Sequence, residues 1–179
     1  MKIEIDIDRI RNLSEEKEEE NWAFRSFLKS CEIPPSKIDL VVQKLNTTIS
    51  SQIDCQTCGN CCKEILPVLK ENDAISMARQ LKLSINEFKN QYLVKTEDSD
   101  GYTFNTNPCP FLKDNRCTVH GFRPEDCRSY PHLHKKNFVA RTISVIKNCS
   151  VCPIVFNVYE NLKNEVWAMG DFDEDYQEL

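Results

Sequence analysis

Glycine is scarce in this chain, with four residues in 179, and proline stands at eight. A sequence so composed is not a low-complexity one. No glycine-rich loop follows a predicted strand, so no methyl-donor site is visible. No apolar stretch reaches the ~18 residues of a membrane span. The opening Met1-Lys2-Ile3-Glu4-Ile5-Asp6 lacks the apolar run of a secretion signal. Histidine is limited to His120, His132 and His134. No internal repeat is visible, and no acid–base pair stands at a spacing that betrays catalysis.

Cysteine, by contrast, is abundant, with ten residues. Without a secretion signal the expected compartment is the cytoplasm, where thiols stay reduced. A chain of 179 residues that is 40% hydrophobic can build a core and has little need of disulfide staples. Metal ligation is therefore the expected use of these cysteines. The expected organisation is an N-terminal helical extension over 1–53, a metal-binding domain over 54–170 and an acidic tail over 171–179. A monomer is expected.

The formal charge is −5 and is unevenly spread. Residues 1–20 carry eight acids and four bases, and residues 171–179 carry five acids and no base. These read as solvated termini. Residues 113–141 carry seven bases (Lys113, Arg116, Arg123, Arg128, Lys135, Lys136 and Arg141) against three acids. This basic stretch contains two cysteines, Cys117 and Cys127. Four thiolates around a divalent ion leave two negative charges, which nearby arginines and histidines would offset. A nucleic-acid partner is accordingly not expected.

Residues 55 to 62 read Cys-Gln-Thr-Cys-Gly-Asn-Cys-Cys. Four cysteines in eight residues are hard to explain as packing. The two-residue gaps let a turn bring successive sulfurs round one ion or cluster, and Gly59 supplies the backbone freedom. Beyond this run come Cys109, Cys117, Cys127, Cys149 and Cys152. Cys127 and Cys152 lie beside Pro124 and Pro153 at predicted helix starts, where the helix dipole favours a thiolate. The candidate ligands are thus Cys55, Cys58, Cys61, Cys62, Cys109, Cys117, Cys127, Cys149 and Cys152.

Zinc would take four of them, as with the pairs Cys55/Cys58 and Cys149/Cys152. An iron–sulfur cluster would use the C-x2-C-x2-C run with a remote fourth ligand, Cys152 or Cys109, each followed by proline. The spacing favours the cluster. Adjacent Cys61 and Cys62 suit two neighbouring centres, or one cluster with a further thiol beside it. Arg128, Tyr130, His120 and His132 are the nearest acid–base groups in sequence, each with a structural role as the simpler reading.

Around this centre the pattern is helical. Ser14 is expected to cap a helix carrying Phe24, Phe27, Leu28 and Cys31 on one face, with Cys31 a small core residue. Pro34-Pro35 ends it. Ser36 with Asp39 resembles a capping box for a helix carrying Ile38, Val41, Val42, Leu45 and Ile49. Further helices are predicted from Asn72–Asp73, with Ala74, Ile75, Ala78 and Leu81 inward, from Ser84 with its capping partner Glu87, and from Pro153. The last buries Val155, Val158, Tyr159, Leu162 and Val166. Leu93-Val94-Lys95 and Tyr102-Thr103-Phe104 read as a hairpin. Residues 105–134 read as loop and 138–141 as a short strand. The expected fold is mainly α with little β, an irregular helical domain organised around a cysteine-ligated metal centre.

Cys55-x2-Cys58-x2-Cys61-Cys62, Pro108-Cys109-Pro110-Phe111-Leu112, Cys117, Arg123-Pro124-x2-Cys127-Arg128-x-Tyr130-Pro131 and Cys152-Pro153 follow in order. This series resembles the bacterial YkgJ-like cysteine-cluster family over about residues 50–155. The resemblance implies a zinc- or iron-chelating domain whose cysteines are Cys55, Cys58, Cys61, Cys62, Cys109, Cys117, Cys127 and Cys152. His120 and Tyr130 depart from the tyrosine and phenylalanine common there. The implied function is a metal-binding protein with a redox, chelating or carrier role and a protein or redox partner. The alternatives are an iron–sulfur enzyme that modifies a protein, in the manner of a methylase, and a structural zinc module for protein interaction.

Overall fold

The computed structural model describes residues 3–97 and 100–170. The acidic tail over 171–179 lies outside the described residues. In chain order the elements are α1 (Ile7–Glu16), α2 (Glu18–Ser30), α3 (Pro35–Ser50), α4 (Cys55–Cys58), α5 (Cys61–Glu64), α6 (Glu71–Gln80) and α7 (Ile85–Tyr92). Then come β1 (Leu93–Lys95), β2 (Tyr102–Phe104), β3 (Leu112–Lys113), β4 (Arg116–Cys117), α8 (Glu125–Ser129), α9 (Thr142–Cys149) and α10 (Pro153–Gly170). The fold is mainly α with little β, as the apolar periodicity predicts. The chain divides into two compact units: Cys55–Tyr130, and the flanking Met1–Asp54 with Pro131–Leu179.

The flanking unit is built on long amphipathic helices. α10 packs against α3, α9 and α1, and α2 packs against α9. Ile38, Val42, Leu45 and Ile49 of α3 are buried, as are Val155, Val158, Tyr159, Leu162 and Val166 of α10. Each such side chain removed from water contributes on the order of 1.5–3 kcal/mol before entropy is counted. Phe24 stands edge-on to Tyr159 and Trp167, with ring centroids 5.4 and 4.9 Å away.

Three local expectations are corrected in this unit. Ser14 caps nothing: α1 begins at Ile7 under Asp6, whose carboxylate accepts from Arg9 N. Ser36 is not the cap of α3 either. Pro35 takes the first helical position, where its missing N–H costs nothing. Asp39 instead accepts from the backbone N–H groups of Asn137 and Phe138, each at 2.9 Å, tying down the segment that leads into α9. Residues 139–141 form a 3-10 turn rather than a strand.

The Cys55–Tyr130 unit has a smaller core. Leu69, Ala74, Met77, Ala78, Phe88, Leu93, Phe104, Phe111 and Val119 are buried together. Phe88, Tyr92, Phe111 and Phe104 form a chain of ring contacts at 5.0–5.5 Å. The Ser84–Glu87 capping box is present in both directions. On α6, Met77 occupies the core, whereas Ile75 is 40% exposed. β1 and β2 pair antiparallel, Leu93 opposite Phe104.

A second hairpin lies inside the segment that reads as loop. β3 and β4 pair with Leu112 opposite Cys117. Asp114 and Asn115 turn between them with φ of 51° and 60°. Two successive left-handed residues match the right-handed twist of the strands, and Asp and Asn tolerate that conformation best among residues with a Cβ.

Candidate metal centre

The cysteine run folds as two single turns around Gly59. Cys55 and Cys58 bound α4, and Cys61 and Cys62 open α5. Gly59 has φ +61°, and a Cβ there would lie 2.5 Å from the backbone carbonyl oxygen of Asn115. Glycine is thus needed twice over: for the left-handed backbone and for the close approach of the β3–β4 turn. α4 packs on β4, which carries Cys117. Cys109 N donates to Cys62 O at 2.8 Å, joining the second half of the run to the Cys109-Pro110 turn.

Cys127 is brought in by carboxylates. Asp73 accepts from Lys70 N at 3.1 Å and from Glu125 N at 3.0 Å, so it holds the first turns of α6 and α8 together. Asp126 accepts from Val68 N at 3.0 Å. Neither contact is readable from spacing, because the partners are 52 and 58 residues apart.

Four sulfurs converge. Burial pushes the Cys109 thiol up to about 11, with the Cys62 and Cys117 charges adding to it. Burial likewise raises Cys117, with Cys62 adding. Cys127 is pushed up to about 12, first by burial, then by Cys62, Cys109 and Cys117 with Asp126. All six pairings within Cys62, Cys109, Cys117 and Cys127 are therefore close enough to matter electrostatically. For Cys127 this corrects the expectation of a thiolate favoured by its helix start: the loss of water outweighs the dipole of a helix of five residues.

Cys62 alone moves the other way, to about 7. A hydrogen bond from the Cys61 thiol is the main cause, and the Arg123 charge helps against the cost of burial. The Phe111 and Leu112 N–H groups are aimed at Cys109 Sγ, and Val119 N–H at Cys117 Sγ. Such donors favour a thiolate when one forms. Arg123 Nε is buried and has no hydrogen-bond partner. A cation with an unspent donor whose charge reaches Cys62 and Cys117 fits a centre that carries negative charge once assembled.

The other candidates are placed differently. Cys55 is exposed, and Cys58 and Cys61 are half-buried. Cys149 and Cys152 belong to the flanking unit, 2% and 6% exposed within its core, and burial raises the Cys149 thiol. Cys31 ends α2, half-buried, its thiol 3.8 Å from Leu28 O. His132 and His134 are also in the flanking unit; His120 opens a 3-10 turn in the cysteine-rich one. Arg128 does not answer thiolate charge: it pairs with Glu125 at 2.7 Å and donates to Arg123 O. Among the described residues no group of three or more histidine, cysteine or carboxylate side chains is arranged to hold a metal ion. The four sulfurs are neighbours within charge range, not a preformed cage.

Among the described residues no helix is long and apolar enough to cross a membrane. No curated protein and no solved structure matches the chain. A family model does match, over residues 54–153, more than half of the sequence. The chain belongs to that family, the CxxCxxCC family, described as a "putative zinc- or iron-chelating domain".

Proposed function

We propose that the Cys55–Tyr130 unit binds one metal centre through Cys62, Cys109, Cys117 and Cys127. The observation that carries this reading is the mutual proximity of those four thiols in all six pairings. Four sulfur donors suit zinc and an iron–sulfur cluster alike. With a cluster the protein serves as a redox or carrier protein for a protein partner, and with zinc as a chelating or structural module. When bound, a cluster supplies one-electron chemistry, and zinc supplies a structural clamp.

The protein's own contribution is to hold the donors. Backbone N–H groups of Phe111, Leu112 and Val119 stabilise thiolates at Cys109 and Cys117. Arg123 offsets the charge at Cys62 and Cys117, and Cys61 donates to Cys62. Cys55, Cys58 and Cys61 stand outside this set and are more exposed or only half-buried. Cys149 and Cys152 are assigned to packing.

The test is elemental analysis with a visible spectrum on protein purified without oxygen. Iron with sulfide and a broad band near ~400 nm is the expected result for the cluster. Stoichiometric zinc without colour would replace the redox role by a structural or chelating one. Loss of metal in Cys127→Ser and Cys109→Ser, with retention in Cys149→Ser, supports the ligand set. Retention in both of the first two overturns it.

A further inference from the structure

The basic stretch over 113–141 is only half used by the cysteine-rich unit. Arg123 answers the thiols and Arg128 answers Glu125. Lys135, Lys136 and Arg141 lie in the flanking unit, within Pro131–Leu179. They need a separate explanation.

A cavity of about 180 Å³ opens there, lined by His132, Lys135, Arg141, Ser144, Val145 and Asn148 among others. Its floor is α9 with the residue that precedes it: Arg141, Ser144, Val145 and Asn148 follow helical spacing along one face. Its wall is the 132–138 loop, fixed from two sides. Arg141 donates to the carbonyl oxygens of His132, Lys135 and Lys136, with Nη1 to His132 O at 3.0 Å. Asp39 takes the N–H groups of Asn137 and Phe138. His132, with φ +63°, makes the sharp bend.

This arrangement consumes the loop's acceptors and leaves donors. The Arg141 guanidinium spends its hydrogen bonds on carbonyls, which carry no full charge, and feels the Asp39 charge without pairing with it. The Lys135 ammonium, Ser144 hydroxyl and Asn148 amide have no hydrogen bond or ion pair among the described residues. No carboxylate is among the lining residues. The volume is below the ~300 Å³ at which drug-sized ligand pockets begin. A small site with fixed positive charge, two neutral hydrogen-bonding groups and one apolar wall suits a compact, multiply charged oxyanion.

We propose that this pocket binds a small phosphoryl dianion, with Lys135, Ser144 and Asn148 as its direct contacts and Arg141 as the residue that shapes the loop. The chemistry is that of inorganic phosphate or of a phosphate monoester whose organic group would lie along Val145.

The test is a titration of the isotope-labelled full-length protein, followed by backbone amide shifts. The probes are inorganic phosphate and phenyl phosphate, each against sodium chloride at matched ionic strength. Saturable shifts at residues 132–148, absent with chloride, are expected. Tighter binding of phenyl phosphate would identify the monoester as the better ligand; equal binding would identify free phosphate. Lys135→Glu, at an exposed position, is expected to fold normally and weaken binding by at least about tenfold. Asn148→Ala should weaken it by a smaller factor. Shifts that merely follow ionic strength, or unchanged affinity in Lys135→Glu, overturn the proposal. The readout does not depend on metal content, so it stands or falls apart from the metal centre.

Discussion

The two units solve the problem of stability by different means. The flanking unit buries whole helix faces, with large side chains such as Phe24, Ile38, Leu45, Tyr159 and Leu162 essentially inaccessible. The cysteine-rich unit has short helices, two-stranded hairpins and a core of nine buried residues, to which Cys109 and Cys117 attach as half-buried members. One unit rests chiefly on hydrophobic burial. The other is the kind of small, loop-rich assembly that a metal commonly completes.

Removing the metal should separate the two most sharply. A chelator applied to the full chain is expected to unfold Cys55–Tyr130 and leave the helices of the flanking unit intact. The scale is that of metal-coupled folding, roughly 10 kcal/mol or more. Limited proteolysis checks it: new cleavages confined to 55–130 are expected. Cleavage throughout the chain would show that the helical unit also depends on the metal, and the comparison would fail.

The flanking unit has its own vulnerable point, which is ionic. Lys163 is 2% exposed, on α10, and pairs with Glu20 and Glu160 while donating to Asn21 Oδ1 at 3.0 Å. Lys163→Ala would leave Asn21 Oδ1 without its buried donor, while Glu160 keeps its ion pair with Lys17. A loss of about 1–3 kcal/mol is expected by denaturant unfolding. Metal content should not change. A metal loss there would mean that the two units share one folding reaction.

Sequence and structure agree best where periodicity rules. The α3 and α10 stripes, the Ser84–Glu87 box and the 93–104 hairpin follow from apolar spacing, cap chemistry and strand propensity. The failures come from side chains that take another partner than the expected one, distant for Asp39 and local for Arg128. Asp39 looks like a helix cap and instead serves Asn137 and Phe138. Arg128 looks like a thiolate partner and instead meets Glu125. The family's cysteine motif was legible in the run at 55–62. The nearness of Cys62, Cys109, Cys117 and Cys127 was not, since it depends on the Asp114-Asn115 turn and on Asp73 and Asp126, which act across the chain. The Asp-Asn pair between two short apolar-polar runs was the one local signal that could have revealed the hairpin.

Gly59 tests that turn directly. Gly59→Ala places a methyl carbon against Asn115 O and demands a left-handed backbone of a β-carbon residue. A loss of about 1–3 kcal/mol is expected in the cysteine-rich unit, with weaker metal retention against a competing chelator. The flanking unit should not respond. Unchanged retention would mean that α4 and β4 can separate without harm to the centre.

The finest distinction is a proton count. Metal binding requires thiolates, so each ligand still protonated in the free protein releases one proton on binding. Cys109 at about 11, Cys127 at about 12 and the raised Cys117 are thiols throughout the neutral range. Cys62, held down to about 7, is a thiolate above that pH and a thiol below it. Zinc binding should therefore release about three protons at pH 8 and about four at pH 6. Apparent affinity should fall by one further factor of about ten per pH unit below 7 than above it. Calorimetry in buffers of differing ionisation enthalpy measures the count. Cys149→Ser should leave both numbers unchanged, because its thiol is raised by burial in the other unit and releases nothing. Arg123→Gln should move the three-to-four step to higher pH, since it removes a charge that favours the Cys62 thiolate. A count that stays at four through pH 8 would show that Cys62 is a thiol, not a thiolate, in the free protein at that pH.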